Sequence, residues 1–93
     1  MPIFAVHYTY TDATAADRAT HRPEHRAWLN ALVDAGTVLS SGPYPDGTGA
    51  LLLFRAEDAP SLTELLGHDP FAERNLIEAV RVVEWLPVMG AFA

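Results

Sequence analysis

The chain has 93 residues, of which 49% are hydrophobic and 19% charged, so its composition is that of a globular domain rather than a disordered segment. Six arginines and no lysine oppose twelve acidic residues, and the formal net charge of -6 argues against nucleic acid or an anionic membrane surface as a partner. The absence of cysteine excludes disulfides and thiolate chemistry.

The first part of the chain predicts a strand, a loop and a long helix. Residues Ile3 to Tyr10 are rich in aromatic and β-branched side chains, as is typical of a strand, whereas the small and polar residues Thr11 to Asp17 predict a loop. The helix is predicted from about Thr20 to Ala35, because Pro23 is acceptable only in a first turn and Gly36 ends the pattern.

Two further strands are predicted on either side of a turn. They cover Thr37 to Ser41 and Ala50 to Arg55, and the segment 42–47 between them is rich in glycine and proline.

A second helix and a last strand complete the predicted elements. Either Asp58 or Ser61 can cap this helix, and a glutamate three residues after Ser61 fits a capping box. The pair Asp69-Pro70 predicts a turn with a helical turn after it as far as residue 75, and residues 77–86 predict the final strand.

The order strand, helix, strand, strand, helix, strand predicts an α+β fold with a ferredoxin-like βαββαβ antiparallel sheet and both helices on one face. The alternating positions of the first and third strands are apolar on both sides of the sheet. Since two helices cover only one face, we expect the other to pack against a second copy of the chain, which predicts a homodimer. The length allows one domain, 1–93.

A histidine lies on the apolar stripe of the first predicted helix. The spacing i, i+3, i+4, i+7, i+8 places five side chains on one helical face: His25, Trp28, Leu29, Leu32 and Val33. A core-facing imidazole needs a hydrogen-bond partner, and Asp69 is the best candidate. A carboxylate on one ring nitrogen leaves the other free to move a proton, while Arg22 and the Ser41 hydroxyl could hold substrate oxygens.

Each of these residues also has a purely structural interpretation. His25 can be a buried polar group satisfied by a neighbour, Asp69 can simply cap the helical turn that begins at Pro70, and Arg22 can be a solvated charge at a helix end. Ser41 is followed by Gly42-Pro43 and can simply belong to a turn. His21 and His25 share a helical face, but no glutamate follows His21 and no third ligand is evident, so no metal site is predicted.

Four short motifs in this order are similar to those of the YCII-like proteins: Arg22-Pro23-x-His25, Ser41-Gly42-Pro43, Asp69-Pro70-Phe71 and Trp85-x-Pro87. The resemblance extends over nearly the whole chain. It implies a dimeric α/β barrel in which two ferredoxin-like sheets pack together, with a His-Asp pair in a cleft at the positions of His25 and Asp69. A minority of that family resembles dehydrochlorinases or lactone isomerases.

The combined expectation is a cytoplasmic small-molecule enzyme that performs elimination, isomerisation or a related lyase or hydrolase step without a cofactor. His25 and Asp69 are the predicted catalytic residues, and Arg22 and Ser41 are the predicted contacts to a small neutral or anionic organic molecule. The alternative is a non-catalytic ligand-binding or accessory protein on the same fold. A cofactor-free monooxygenase is a third interpretation, by analogy of fold alone.

Overall fold

Four strands form one antiparallel sheet in the computed structural model, which describes residues 1–93. Their bounds are β1 Ile3–Thr9, β2 Val38–Pro43, β3 Gly49–Arg55 and β4 Ala79–Trp85, and their order across the sheet is β2-β3-β1-β4. The two central strands, β1 and β3, are the most apolar, because only central strands have both edges paired within the sheet. This topology is the ferredoxin-like arrangement that the element order predicts.

The two faces of the sheet differ in what covers them. One face packs against the helices and supplies most of a core cluster that comprises Phe4, Val6, Tyr8, Leu29, Val38, Ala50, Leu52, Phe54, Ala56, Leu62 and Leu66. The register pairs Phe4 with Phe54, Val6 with Leu52 and Tyr8 with Ala50, which aligns their side chains on that face. Residues of the opposite parity point away from the helices.

The first helix, α1, spans Ala15–Asp34 and therefore starts five residues before the predicted position. Pro23 lies inside it rather than in its first turn, so the prediction of the helix start was wrong. Proline removes one backbone donor, but Pro23 and its neighbours on that side are exposed, and water can satisfy the carbonyl that loses its partner. A short 3-10 turn, Asp12–Thr14, leads into α1, and Gly36 follows it with a φ of +78°.

The remaining two helices each begin at an aspartate cap. The second, α2, spans Ala59–Leu66, and its cap is Asp58, whose carboxylate accepts from the Ser61 backbone N–H at 2.8 Å. Of the two predicted caps, Asp58 is therefore the one used. The third, α3, is a single turn over Pro70–Glu73 with Asp69 at its N-cap.

None of these helices combines the length and the apolar character that a membrane crossing demands. The longest, α1, has buried residues only along one side, and its exposed sides carry charged and small residues.

Candidate active site

His25 lies on the face of α1 that is turned towards the sheet, and only 8% of it is exposed. Its ring stacks on the ring of Phe71, with centroids 3.9 Å apart and planes 3° from parallel. The stack fixes the plane of the imidazole, and a hydrogen bond from Nδ1 to Asp69 fixes the direction of the ring nitrogens within that plane.

Asp69 is completely buried and accepts three hydrogen bonds from three different elements. Its Oδ1 accepts from His25 Nδ1 at 2.7 Å and from the Phe71 backbone N–H at 2.9 Å, while Oδ2 accepts from the Tyr8 hydroxyl at 2.8 Å. Because carboxylate oxygens only accept, Nδ1 carries the proton of its hydrogen bond, and Nε2 is the nitrogen left without a protein partner. The same carboxylate thus caps α3 and orients His25, so the two interpretations of Asp69 coexist.

Tyr8 and Tyr10 extend the site along β1 and just beyond it. Burial, reinforced by the negative charge of Asp69, raises the pKa of Tyr8 far above its ordinary value, so this hydroxyl remains a donor. Burial likewise raises the pKa of Tyr10 to about 12, with the Asp69 charge adding to the rise and Arg18 and Arg22 opposing it. Both phenols therefore carry their protons at neutral pH.

A cavity of about 470 Å³ opens between α1, α3, the end of β2 and the start of β3. Its walls comprise Tyr10, Arg22, His25, Arg26, Leu29, Asn30, Val33, Ser41, Gly42, Pro43, Ala50 and Phe71. Three of the four predicted site residues, His25, Arg22 and Ser41, line this cavity, and Asp69 lies behind His25. The volume is within the range that holds small organic ligands.

Several residues of the site have no counterpart in the sequence-based prediction. Strand alternation places Tyr8 on the core-facing side, but nothing in the sequence indicates that its hydroxyl, 61 residues away, meets Asp69. Arg18 is 5% exposed, lies over the Tyr10 ring at 4.3 Å and donates to the backbone oxygens of Thr11 and Leu76. Arg18 is therefore a packed structural residue, in contrast to the two cavity arginines.

The other histidines lie outside this arrangement. His21 faces Glu24, with Nδ1 3.8 Å from the carboxylate, and no group of three histidine or acidic side chains is gathered as metal ligands anywhere in the chain. His7 Nδ1 lies 3.0 Å from the Tyr44 hydroxyl on the far side of the sheet, and His68 is exposed in the turn before Asp69.

Comparison with known proteins identifies both a family and a fold. The family model of the YCII-related domain matches residues 2–86. Among solved structures, the 5-chloro-2-hydroxyhydroquinone dehydrochlorinase of Burkholderia phenoliruptrix, in complex with 2,5-dihydroxybenzoquinone, superposes with a TM-score of 0.80 over 90% of this chain and 93% of that chain. The two sequences are 22% identical, which establishes a shared fold. No curated protein gives a significant sequence match.

Proposed function

Because the chain belongs to the YCII-related family, we propose that it is a small-molecule enzyme that uses His25 for cofactor-free acid-base chemistry. The observation that carries the proposal is the buried hydrogen bond of 2.7 Å between His25 and Asp69, at the wall of an open cavity. If His25 were kept only for stability, there would be no reason for it to line a cavity of ligand size with one ring nitrogen free of protein partners.

Before the proposed step, His25 carries its proton on Nδ1, which donates it in the hydrogen bond to Asp69. The Nε2 lone pair takes a proton from a carbon or oxygen of the substrate, and the electron pair left behind forms a double bond. In an elimination, the leaving group departs from the adjacent carbon with the electron pair of the bond that breaks, and His25 then passes the proton to the leaving group or to water. In an isomerisation, His25 returns the proton to a different carbon. Asp69 stabilises the imidazolium between these steps.

Arg22 and Ser41 are proposed to hold the substrate during this transfer. The Arg22 guanidinium would stabilise negative charge that develops on a substrate oxygen, and the Ser41 hydroxyl, at the end of β2, would donate a hydrogen bond. Apolar side chains such as Leu29 and Phe71 form the rest of the wall and would receive the body of a ring compound.

A lyase-type reaction is further supported by the dehydrochlorinase that shares the fold. That enzyme was solved with an oxygenated six-membered ring, so oxygenated ring compounds with an acidic C–H or O–H group are the first substrates to test here. The proposal takes from that comparison the class of ligand; the roles of individual residues rest on the geometry of this site.

Isotope exchange tests the chemistry without requiring the natural substrate. The protein is incubated in D₂O with a panel of cyclic ketones, unsaturated lactones and hydroxyquinones, and loss of the ring C–H signal is followed by NMR. We expect at least one compound to exchange faster than in buffer, and His25→Gln to reduce this excess rate by roughly 100-fold or more.

Two variants make the test specific. Asp69→Asn keeps a capping side chain and should lower the exchange rate because the imidazolium loses its charged partner, while His68→Gln changes an exposed histidine and should exchange like the wild type. Exchange that survives His25→Gln would refute the assignment of the base. Saturable binding of a panel compound without any exchange would favour the alternative, a non-catalytic ligand-binding protein.

A homodimer is the proposed assembly. The sheet face opposite the helices carries an apolar set of Ile3, Ala5, Leu51, Leu53, Val83 and Trp85, whose register alternates with that of the core. Trp85 is 40% exposed, and a second copy would cover it. Sedimentation at micromolar concentration should give twice the 10.1 kDa chain mass and should be insensitive to salt, whereas Val83→Asp should give monomers. A 10.1 kDa wild-type species would refute the dimer.

A further inference from the structure

Two arginines on the cavity wall have no partner in the protein. Arg22 and Arg26 both line the cavity, and neither forms a salt bridge or a hydrogen bond to another residue. The remaining ion pairs of the chain involve His21, His25 and Arg74. The cavity wall contains no aspartate or glutamate at all, so its charge is positive in a chain whose net charge is -6.

The pattern of charge along α1 explains why these arginines stay unpaired. Arg18, Arg22 and Arg26 follow one another at four-residue spacing, and no acidic residue stands three or four positions from Arg22 or Arg26. Like charges at this spacing destabilise a helix slightly. If the arginines served only to keep the helix surface soluble, acidic residues at this spacing would make the helix more stable. Glu24, the acid nearest in sequence, faces elsewhere and pairs with Arg74 at 3.4 Å.

The carboxylate directly behind the cavity wall is already satisfied. Asp69 is fully buried behind His25, and its oxygens accept from His25, Tyr8 and the Phe71 backbone. Arg22 does act electrostatically on the cavity wall, since its charge opposes the rise in the pKa of Tyr10.

From this arrangement we propose that Arg22 and Arg26 form a receptor for a carboxylate group, and that the ligand of the cavity is a single-ring carboxylic acid. This inference rests on the proposed function, because it concerns the same cavity, and it adds a second recognition residue, Arg26, and a chemical class of ligand. Guanidinium groups bind carboxylates through paired, charge-assisted hydrogen bonds. The ring would lie against the buried side chains of Phe71 and Leu29, which line the same cavity as His25.

Benzoate and its uncharged analogue benzamide are the probes. Their affinities are measured by NMR titration on the wild type, Arg22→Gln, Arg26→Gln and the control Arg74→Gln, which removes the same charge from an exposed site outside the cavity. We expect benzoate to bind the wild type about tenfold or more tightly than benzamide, and each cavity variant to lose about tenfold for benzoate only. Arg74→Gln should stay within about twofold of the wild type.

Thermal unfolding without ligand separates recognition from structure. Arg22→Gln and Arg26→Gln should unfold at or above the wild-type temperature, because they relieve like-charge repulsion, whereas Arg18→Gln should unfold well below it. The receptor is refuted if benzamide matches benzoate on the wild type, if Arg74→Gln loses as much affinity as the cavity variants, or if benzoate does not bind.

The two proposals about this cavity fail in different ways. His25→Gln should keep the arginine-dependent preference for benzoate while losing isotope exchange. Arginine-dependent binding with no exchange on any compound would uphold the receptor and refute the enzyme. Isotope exchange that depends on His25, without any preference for carboxylates in binding, would support the enzyme and refute the carboxylate receptor.

Discussion

The hydroxyl of Tyr8 is the sole donor to one oxygen of a completely buried carboxylate, and Tyr8→Phe removes that donor alone. Phenylalanine keeps the ring and its contacts in the core, so the cost comes from leaving Asp69 Oδ2 unsatisfied in a dry environment. A hydrogen bond to a charged group contributes roughly 1.5 to 3 kcal/mol. We therefore expect Tyr8→Phe to lower the free energy of unfolding by about 2 kcal/mol, or roughly 10 °C in Tm for a domain of this size.

Urea unfolding at fixed protein concentration measures this loss, and Tyr44→Phe is the matched control. The Tyr44 hydroxyl lies 3.0 Å from His7 Nδ1 at a half-buried position on the other side of the sheet, where water can replace it. Its removal should cost less than about 0.5 kcal/mol. Equal losses in the two variants, or a loss below about 0.5 kcal/mol in Tyr8→Phe, would refute the view that Tyr8 satisfies a buried charge.

Three further outcomes follow from individual contacts. Gly49→Ala should cost more than about 2 kcal/mol by urea unfolding, because its Cβ would lie 1.9 Å from the Tyr8 carbonyl oxygen, whereas Gly42→Ala, with nothing within 4 Å, should be nearly neutral. Burial raises the pKa of Tyr10 from 10.0 to about 12, so above pH 10 the folded chain retains a proton that the unfolded chain releases. The free energy of unfolding should therefore fall as the pH rises above 10. Tyr10→Phe should make this fall less steep, as measured by urea midpoints. Hydrogen bonds from Ser61 lower the pKa of Asp58 below 3.8, so the ionised carboxylate stabilises the folded chain above that pH and ceases to do so on further acidification. In acid titrations followed by circular dichroism, Asp58→Ala should therefore lose less stability than the wild type.

The sequence carries the fold far better than the details of the site. The order of the elements along the chain predicts the ferredoxin-like sheet, and the apolar stripe on α1 predicts the buried position of His25. The start of α1 was misjudged because the proline rule is local, whereas Arg18 anchors the first turns through contacts to Thr11 and Leu76. Such long-range contacts decide helix ends and have no signature in a local pattern.

Prediction of the site failed where a residue's role depends on its distant partners. Arg22 and Arg26 look alike in sequence to Arg18, and only the packing shows that Arg18 is buried while the other two line a cavity. The parity of Tyr8 only groups it with Phe4 and Val6 on one side of β1, and its hydroxyl gains importance because the turn at Asp69 folds back onto β1. The spacing of residues along the chain contains no information about such a long-range side-chain contact.

The three hydrogen bonds that Asp69 accepts affect how the same position should be interpreted in the sequences of relatives of this chain. A carboxylate that caps α3, binds α1 through His25 and accepts from a hydroxyl of β1 stabilises the native state, whether or not any reaction takes place. A descendant that had lost its activity would still be under selection to keep the aspartate. His25 packs on Phe71 but hydrogen-bonds only Asp69 and caps no helix, so a change at position 25 is the more informative marker of a member that no longer catalyses a reaction.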